Sequence, residues 1–280
     1  MVLSFGEVLM DCLPEKNVIG GAPLNVVTHL KRLGEDSGII SKIGTDKLGI
    51  EIADILASEN LDQFVQKDSS YKTGYVTVDF IDGQPNYKIH SGCGWEFLDF
   101  ENAITPAYFV FGSLALHFPQ NKASFLKYKA AFNGAEFICD LNLRTPFFSK
   151  ENIELCLSST DILKINDEEL DYLSSEYNVN NPIVWLKETY GISKVILTKG
   201  SKGATIYWNE EEVSVDVVPV EDMKDTVGAG DSFTALFIYG LLKNIPLKEN
   251  LKRASTFASL ICGQFGAIPS DLSLYDAYKL

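Results

Sequence analysis

Asp225-Thr226-Val227-Gly228-Ala229-Gly230-Asp231 stands directly before an apolar run at residues 232–242. Phe233, Leu236, Phe237, Gly240 and Leu241 recur in that run at helical spacing, which predicts a buried helix. A Gly-Ala-Gly turn feeding a helix start leaves several backbone N–H groups without partners. Those groups and the positive end of the helix dipole make an anion site, most naturally for phosphate. Asp231 is the odd member, because a carboxylate beside such a cradle repels phosphate. Two readings stay open on the local pattern. Asp231 caps the helix, which Asp does well, or it is a base taking a proton from a hydroxyl that attacks the bound phosphate.

Upstream of this turn, a polar cluster follows strand after strand. The predicted strand at 108–111 ends in Gly112-Ser113, and a helix at 120–132 follows it. The strand at 136–139 ends in Asp140-Leu141-Asn142-Leu143-Arg144. The strand at 161–165 runs into Asn166 to Glu169, where the next helix starts, and the strand at 194–197 runs into Thr198-Lys199-Gly200-Ser201-Lys202-Gly203. Two more strands are expected within 204–218, around Asn209-Glu210-Glu211, and a last helix at 247–262. Open α/β sheets bind ligands off the carboxyl ends of their strands, so these clusters are expected to converge.

The first part of the chain has the same rhythm. A strand at 2–5 is followed by an extended stretch at 8–13 that carries Asp11 to its end. Gly20-Gly21-Ala22-Pro23-Leu24-Asn25 opens a helix to about residue 33, with Val26, Val27, Leu30 and Leu33 on its inner face. Pro23 suits a first helical turn, and the glycines admit a close neighbour. Asn25 offers a donor and an acceptor near that opening, or it serves as a cap. A strand at 37–43, a helix at 47–58 and a strand at 63–66 complete a series that reads as a parallel sheet with crossover helices. Segments 73–81 and 85–91, joined by Asp82-Gly83-Gln84, interrupt it with a hairpin signal. Paired with 8–13, the hairpin would form a small accessory sheet, a lid or a dimer surface. One domain over 1–280 is expected, with lid segments at about 8–20 and 73–91.

Composition narrows the class of function. The formal net charge of -14 speaks against non-specific binding to nucleic acid or an anionic membrane. Five dispersed cysteines without a C-x-x-C pair suit a reducing cytosol and speak against a disulfide framework or structural zinc. His29, His90 and His117 are equally scattered and read as packed or surface groups. No uncharged apolar run reaches the ~18 residues that cross a bilayer, and the start of the chain has no signal-type core. A cytoplasmic location is expected. A G-x-x-x-x-G-K-[ST] loop is absent, as is a G-x-G-x-x-G after the first strand, which removes two common nucleotide-binding patterns.

An early glycine–Asn opening paired with a late Gly-Ala-Gly-Asp turn resembles the pfkB-type (ribokinase-like) carbohydrate kinases. Gly20 to Asn25, with Leu33-Gly34 and Ile43-Gly44-Thr45-Asp46 after it, looks like the family's N-terminal signature, and Asp225 to Phe233 like its C-terminal one. Gly6-Glu7-Val8-Leu9-Met10-Asp11-Cys12-Leu13-Pro14 looks most like the fructokinase branch. The resemblance implies a three-layer α/β/α sandwich with a mainly parallel central sheet and a small β-lid. It implies Asp231 as catalytic base, Gly228, Ala229 and Gly230 as the anion hole, and Asp11, Gly21 and Asn25 as sugar-binding positions. Asn142 and Arg144 would reach substrate, Thr198, Gly200, Gly203 and Thr226 the nucleotide, and Asn166 and Glu169 magnesium through water. Asn166 to Glu169 also reads as a capping box, Thr198 to Gly203 as an ordinary loop, and Arg144 as an ion-pair partner. Leu236 stands where the family has a small residue.

The activity implied by the resemblance is that of an ATP- and Mg2+-dependent sugar kinase, with a monovalent cation such as K+ as a further candidate. Fructose is the favoured substrate and fructose 6-phosphate the product. Ribose, keto-deoxygluconate or a nucleoside is the alternative within the family. A catalytically silent sugar- or nucleotide-binding protein is the alternative outside enzymes, although such a binder needs no base. A homodimer through the lid is the expected assembly, with no nucleic-acid or membrane partner.

Overall fold

The computed structural model describes the whole chain except residues 14, 15, 82, 83, 102, 103 and 221. In chain order, β1 (Val2–Phe5), β2 (Leu9–Cys12) and β3 (Asn17–Gly20) lead into α1 (Ala22–Arg32). Then come β4 (Ser37–Ile43), α2 (Lys47–Ser58), β5 (Val65–Lys67), β6 (Gly74–Ile81) and β7 (Gln84–Ile89). The third stretch is β8 (Tyr108–Gly112), α3 (Pro119–Ala131), β9 (Glu136–Asp140), α4 (Lys150–Ser158), β10 (Ile162–Asn166), α5 (Asp167–Glu176) and α6 (Pro182–Tyr190). Last are β11 (Lys194–Thr198), β12 (Ala204–Trp208), β13 (Glu211–Val215), α7 (Ala229–Leu242) and α8 (Leu247–Cys262).

The large sheet has the order β13-β12-β11-β10-β9-β8-β1-β4-β5. It is parallel from β11 to β5, and β12 and β13 extend it antiparallel. The chain adds β4 and β5 on one side of β1, then crosses over to add β8 to β11 on the other. Strand order therefore reverses between β1 and β8, and a crevice opens at such a reversal.

Alternate strand residues face opposite helical layers, as the period of a strand requires. Leu3, Phe5, Phe109 and Phe111 pack with Phe125 and Tyr128 of α3, Ile153 of α4 and Leu173 of α5. Val2 and Val110 face the other way, against Val26 of α1, Phe233 and Phe237 of α7 and Phe257 of α8. Met10, Ile39 and Ile43 are covered by Ile52 and Leu56 of α2. The result is three layers, helices on both faces of the sheet. His29 sits inside this packing, its Nδ1 2.8 Å from the Tyr275 hydroxyl.

α7 is apolar on every side, and Phe233 to Gly240 are buried between α1 and α8. A helix of that kind belongs to the interior. Gly240 permits its close approach to α8, since a Cβ there would run into the Asn250 side chain, whose Nδ2 donates to the Phe237 carbonyl over 2.9 Å. Leu236 is accommodated, fully buried, in the same core.

The four strands β3-β2-β6-β7 form the small second sheet, with β2 parallel to β6 and the other pairs antiparallel. The accessory sheet expected from 8–13 and the hairpin is therefore present, while Asp82 and Gly83 of the expected turn lie outside the described residues. Three expectations need correction. The strand read at 63–66 is β5 at Val65–Lys67, because the Val65 N–H turns back to the Asp62 carbonyl and delays the strand. The helix read from 232 starts at Ala229, so that Gly230 and Asp231 form its first turn. α4 and α6, each nine residues, were not anticipated. Among the described residues, no helix is long and apolar enough to cross a membrane.

Candidate active site

The carboxyl ends of the parallel strands carry Glu7 after β1, Gly112 and Ser113 at β8, Asp140 at β9, Asn166 at β10 and Thr198 at β11. The starts of α1, α5 and α7 meet the same rim. Gly228 begins α7 with φ 76, a left-handed conformation that suits glycine. A Cβ there would also run into Ala267. Asp225 holds this turn from below, its carboxylate accepting from the Val227 and Gly266 N–H groups at 3.0 and 3.1 Å. No side chain caps α7. Among the described residues, the N–H groups of Gly230 and Asp231 have no protein acceptor. The cradle read from the sequence is therefore open to an anion.

Asp231 is not the cap of α7; Gly228 holds that position. Its carboxylate instead accepts a 2.7 Å hydrogen bond from Asn25 Nδ2. Asn25 likewise does not cap α1, whose cap position is Gly21, but extends from a buried place one turn inside the helix. Burial pushes Asp231 up to about 6; the Asn25 bond, Lys164 and Arg144 act against that rise, and Asp140 adds to it. A carboxyl group so placed is ionised at neutral pH and is a better proton acceptor than a solvated Asp.

Lys164 was not found from the sequence. It lies in β10 opposite Asp140 of β9, is 7% exposed, and donates to both Asp140 oxygens at 2.9 and 3.0 Å. Burial works against its charge, but Asp140, Glu169 and Asp231 outweigh it and hold the ammonium above its ordinary value. A Cβ on Gly230 would lie 3.0 Å from Lys164 Nζ, so this cation sits directly behind the Gly-Ala-Gly turn. Thr234 Oγ1 joins the group to α7, lying 3.3 Å from Asp140 Oδ2 and 2.9 Å from the Gly230 carbonyl oxygen of its own helix. A lysine inside the otherwise apolar Ile162-Leu163-Lys164-Ile165 was the available signal, because a buried cation requires a partner.

Asn166 and Glu169 form a complete capping box. Asn166 Oδ1 accepts from the Glu169 N–H at 2.8 Å, and Glu169 Oε2 from the Asn166 N–H at 3.0 Å. Glu169 Oε1 accepts from the Leu143 N–H at 2.9 Å, which ties this helix start to the loop carrying Asn142 and Arg144. Burial, and next Asp140, raise the Glu169 carboxyl above its ordinary range. Each carboxylate oxygen keeps a further lone pair. The pair therefore fits an ion held through water, the way magnesium with its retained waters is commonly bound.

The remaining positions spread around this centre. Gly20 makes room for Asp11, whose Oδ2 would be 2.7 Å from a Cβ there, and burial pushes Asp11 up to about 6. Gly21 presses on the Glu7 backbone. Asn142 takes φ 43 beside Ser113, and Arg144 is exposed, its charge favouring the ionised form of Asp231. Thr198 pairs with Asn166 across β10 and β11. Gly200 has open space around it, and a Cβ on Gly203 would run into the Val215 carbonyl, which is a packing reason for that glycine. Thr226 is exposed on the rim, apart from the buried cluster.

A family model described as pfkB family carbohydrate kinase matches residues 2–273. A sugar kinase of Pyrococcus horikoshii is 28% identical over 93% of this chain and 88% of its own length. Its crystal structure, described as that of an uncharacterized sugar kinase, has a TM-score of 0.80 at 27% identity, across 95% of this chain and 93% of that one. Fructokinase-2 of Solanum lycopersicum is 26% identical over 96% of this chain and 92% of its own. A fructokinase with bound ATP from Xylella fastidiosa has a TM-score of 0.89 at 21% identity, across 99% of this chain and 97% of that one, a likeness in fold. With both signature turns on one strand-end rim and a family match across nearly the whole chain, the protein belongs to the pfkB family of carbohydrate kinases, on the ribokinase-like fold.

Proposed function

We propose that the protein transfers the γ-phosphoryl group of ATP to a hydroxyl of fructose, giving fructose 6-phosphate. One observation carries the chemistry: the Asp231 carboxylate, held by Asn25, stands in the first turn of a helix whose N–H groups are open. Fructose is favoured by the likeness to fructokinases, Fructokinase-2 of Solanum lycopersicum among them, together with the Gly6-Glu7 to Asp11 pattern. ATP is favoured by the nucleotide named in the Xylella fastidiosa structure.

The sugar hydroxyl approaches Asp231 Oδ1, because Asn25 occupies Oδ2. As the hydroxyl oxygen bonds to the γ-phosphorus, its proton passes to Asp231, the bond to the bridging oxygen breaks and ADP departs. Phosphoryl transfer asks the protein mainly for positioning and charge stabilisation. The open N–H groups at Gly230 and Asp231, with Lys164 behind them, supply that stabilisation. Asn166 and Glu169 would hold magnesium through water, and the ion neutralises phosphate charge when bound. Asp11 and Asn142 would bind sugar hydroxyls, Arg144 the substrate or a phosphate oxygen, and the Thr198–Gly203 turn with Thr226 the nucleotide. The edge strands β3 and β7 of the small sheet offer a pairing surface for a homodimer.

ADP release with Mg-ATP and a panel of fructose, ribose, keto-deoxygluconate and nucleosides tests the reading, with Asp231→Asn as blank. Turnover with fructose well above the blank is the expected result. Turnover with another compound keeps the mechanism and sinks fructose. Ligand-induced stabilisation without ADP release from any compound favours a silent binder.

A further inference from the structure

The segment 264–270 follows α8 and backs the Gly-Ala-Gly turn. Ala267 and Pro269 are buried in it, and Ala267 lies so close to Gly228 that a Cβ there would run into it. Among the described residues, no backbone N–H or carbonyl of 265–270 bonds to another backbone group. Two side chains hold the segment instead. Asp225 accepts from the Gly266 N–H at 3.1 Å, and Arg32 Nη1 donates to the Pro269 carbonyl over 2.5 Å. Arg32 is the last residue of α1 and is mostly buried. Glu59, at the end of α2, orients it through a fork, with Nη2 to Oε1 at 2.5 Å and Nε to Oε2 at 3.3 Å. Such a two-bond pair fixes the plane of the guanidinium and leaves Nη1 for Pro269. The first turn of the same helix carries Asn25, which bonds Asp231. Helix α1 therefore reaches the start of α7 twice, directly through Asn25 and indirectly through Arg32, Pro269 and Ala267.

We propose that Arg32 is a positioning residue for the phosphoryl transfer. By fixing Pro269 it keeps Ala267 against Gly228, and so holds the open N–H groups of Gly230 and Asp231 in place for the transferring phosphoryl group. Donors fixed in advance act on charge that develops in the transition state, so the effect falls on kcat and not on affinity for the sugar. This rests on the Gly228–Asp231 turn being the anion site of the proposed sugar kinase.

The test sets Arg32→Lys against Glu59→Gln, with Mg-ATP and the sugar that the wild type turns over fastest. Arg32→Lys keeps a cation for Glu59 but has no planar fork to serve Glu59 and Pro269 together. Glu59→Gln removes the ion pair and leaves Nη1 to Pro269. kcat is expected to fall by about tenfold or more in Arg32→Lys, with KM for the sugar unchanged. Glu59→Gln should lower Tm and keep the wild-type kcat. Variants that lower Tm alike and both keep the wild-type kcat would reduce Arg32 to an ion-pair partner and overturn the proposal; equal losses of kcat in both would overturn it too. Hydrogen exchange reads the turn without turnover, at the Ala229 amide, bonded to the Thr226 carbonyl, and the Gly266 amide, bonded to Asp225. Well below Tm, both amides should exchange severalfold faster in Arg32→Lys and as in the wild type in Glu59→Gln. Unchanged exchange in Arg32→Lys also overturns the proposal. Wild-type kcat in Gly228→Ala would instead remove the anion-site reading, a failure that the exchange measurement keeps distinct.

Discussion

Helices α5 and α7 start on the same rim of the sheet and treat their first N–H groups in opposite ways. At α5 the Asn166 and Glu169 side chains cover the helix end reciprocally, and Glu169 also takes the Leu143 N–H. At α7 a left-handed glycine leads straight into the helix and no side chain covers its end. The covered end contributes stability and holds a loop in place. The open end contributes less to folding and keeps its donors and dipole for a ligand. An acid is even held inside its first turn, although burial there opposes the charge. Sites arranged for chemistry commonly give up stability in this way.

Replacing Asp231 by Asn is the strongest way to break this contrast. kcat is expected to fall by about 10³-fold or more, while Tm at pH 7.5 does not fall. The sign comes from the titration. A folded-state value raised to about 6, above the ordinary carboxylate range, means that the ionised group opposes folding at pH 7.5, so removing the charge costs no stability. ADP release and thermal denaturation on one preparation decide it. Near-normal turnover would make α7 an ordinary helix start.

Gly228→Ala tests the openness itself. The new Cβ meets Ala267 and a positive φ, so kcat/KM should fall by about 10²-fold with a stability loss of about 1–3 kcal/mol. Wild-type kcat/KM in a folded variant would show that the turn is no anion site. Asn25→Ala removes the bond that favours the charged Asp231. The acid limb of the rate profile, expected near 6, should then move up by roughly one pH unit; a limb that stays or moves down would contradict the pairing. The smallest effect is expected at the covered end. Asn166→Ala should cost about 1 kcal/mol in denaturant unfolding and raise the Mg2+ concentration for half-maximal turnover. An unchanged Mg2+ dependence would leave Asn166 to its cap alone.

Much of this contrast was legible before folding, and for identifiable reasons. β1, β4 and α2 fall where the apolar spacing placed them. The glycine turns at 20–21 and 228–230 were readable because glycine and Pro23 mark conformations that few other residues adopt. Local pattern left the role of Asp231 open between cap and base, since both begin with an acid near a helix start. It also left Asn166 and Glu169 open between cap and metal; the cap is present, and the metal role is the part still proposed. Lys164 was missed because its partner, Asp140, lies 24 residues away and meets it only through the β9–β10 register.

The sequence by itself determined the alternating α/β class of fold and the two turns at which chemistry is expected, since these rest on spacing and backbone conformations that local residues dictate. The resemblance of its two signature stretches implied the family. Only the tertiary structure decided that Asn25 reaches Asp231 across 206 residues of chain and that a buried ammonium lies behind the Gly-Ala-Gly turn. Those relations depend on which strands become neighbours and in what register, and that is settled by the packing of the whole core.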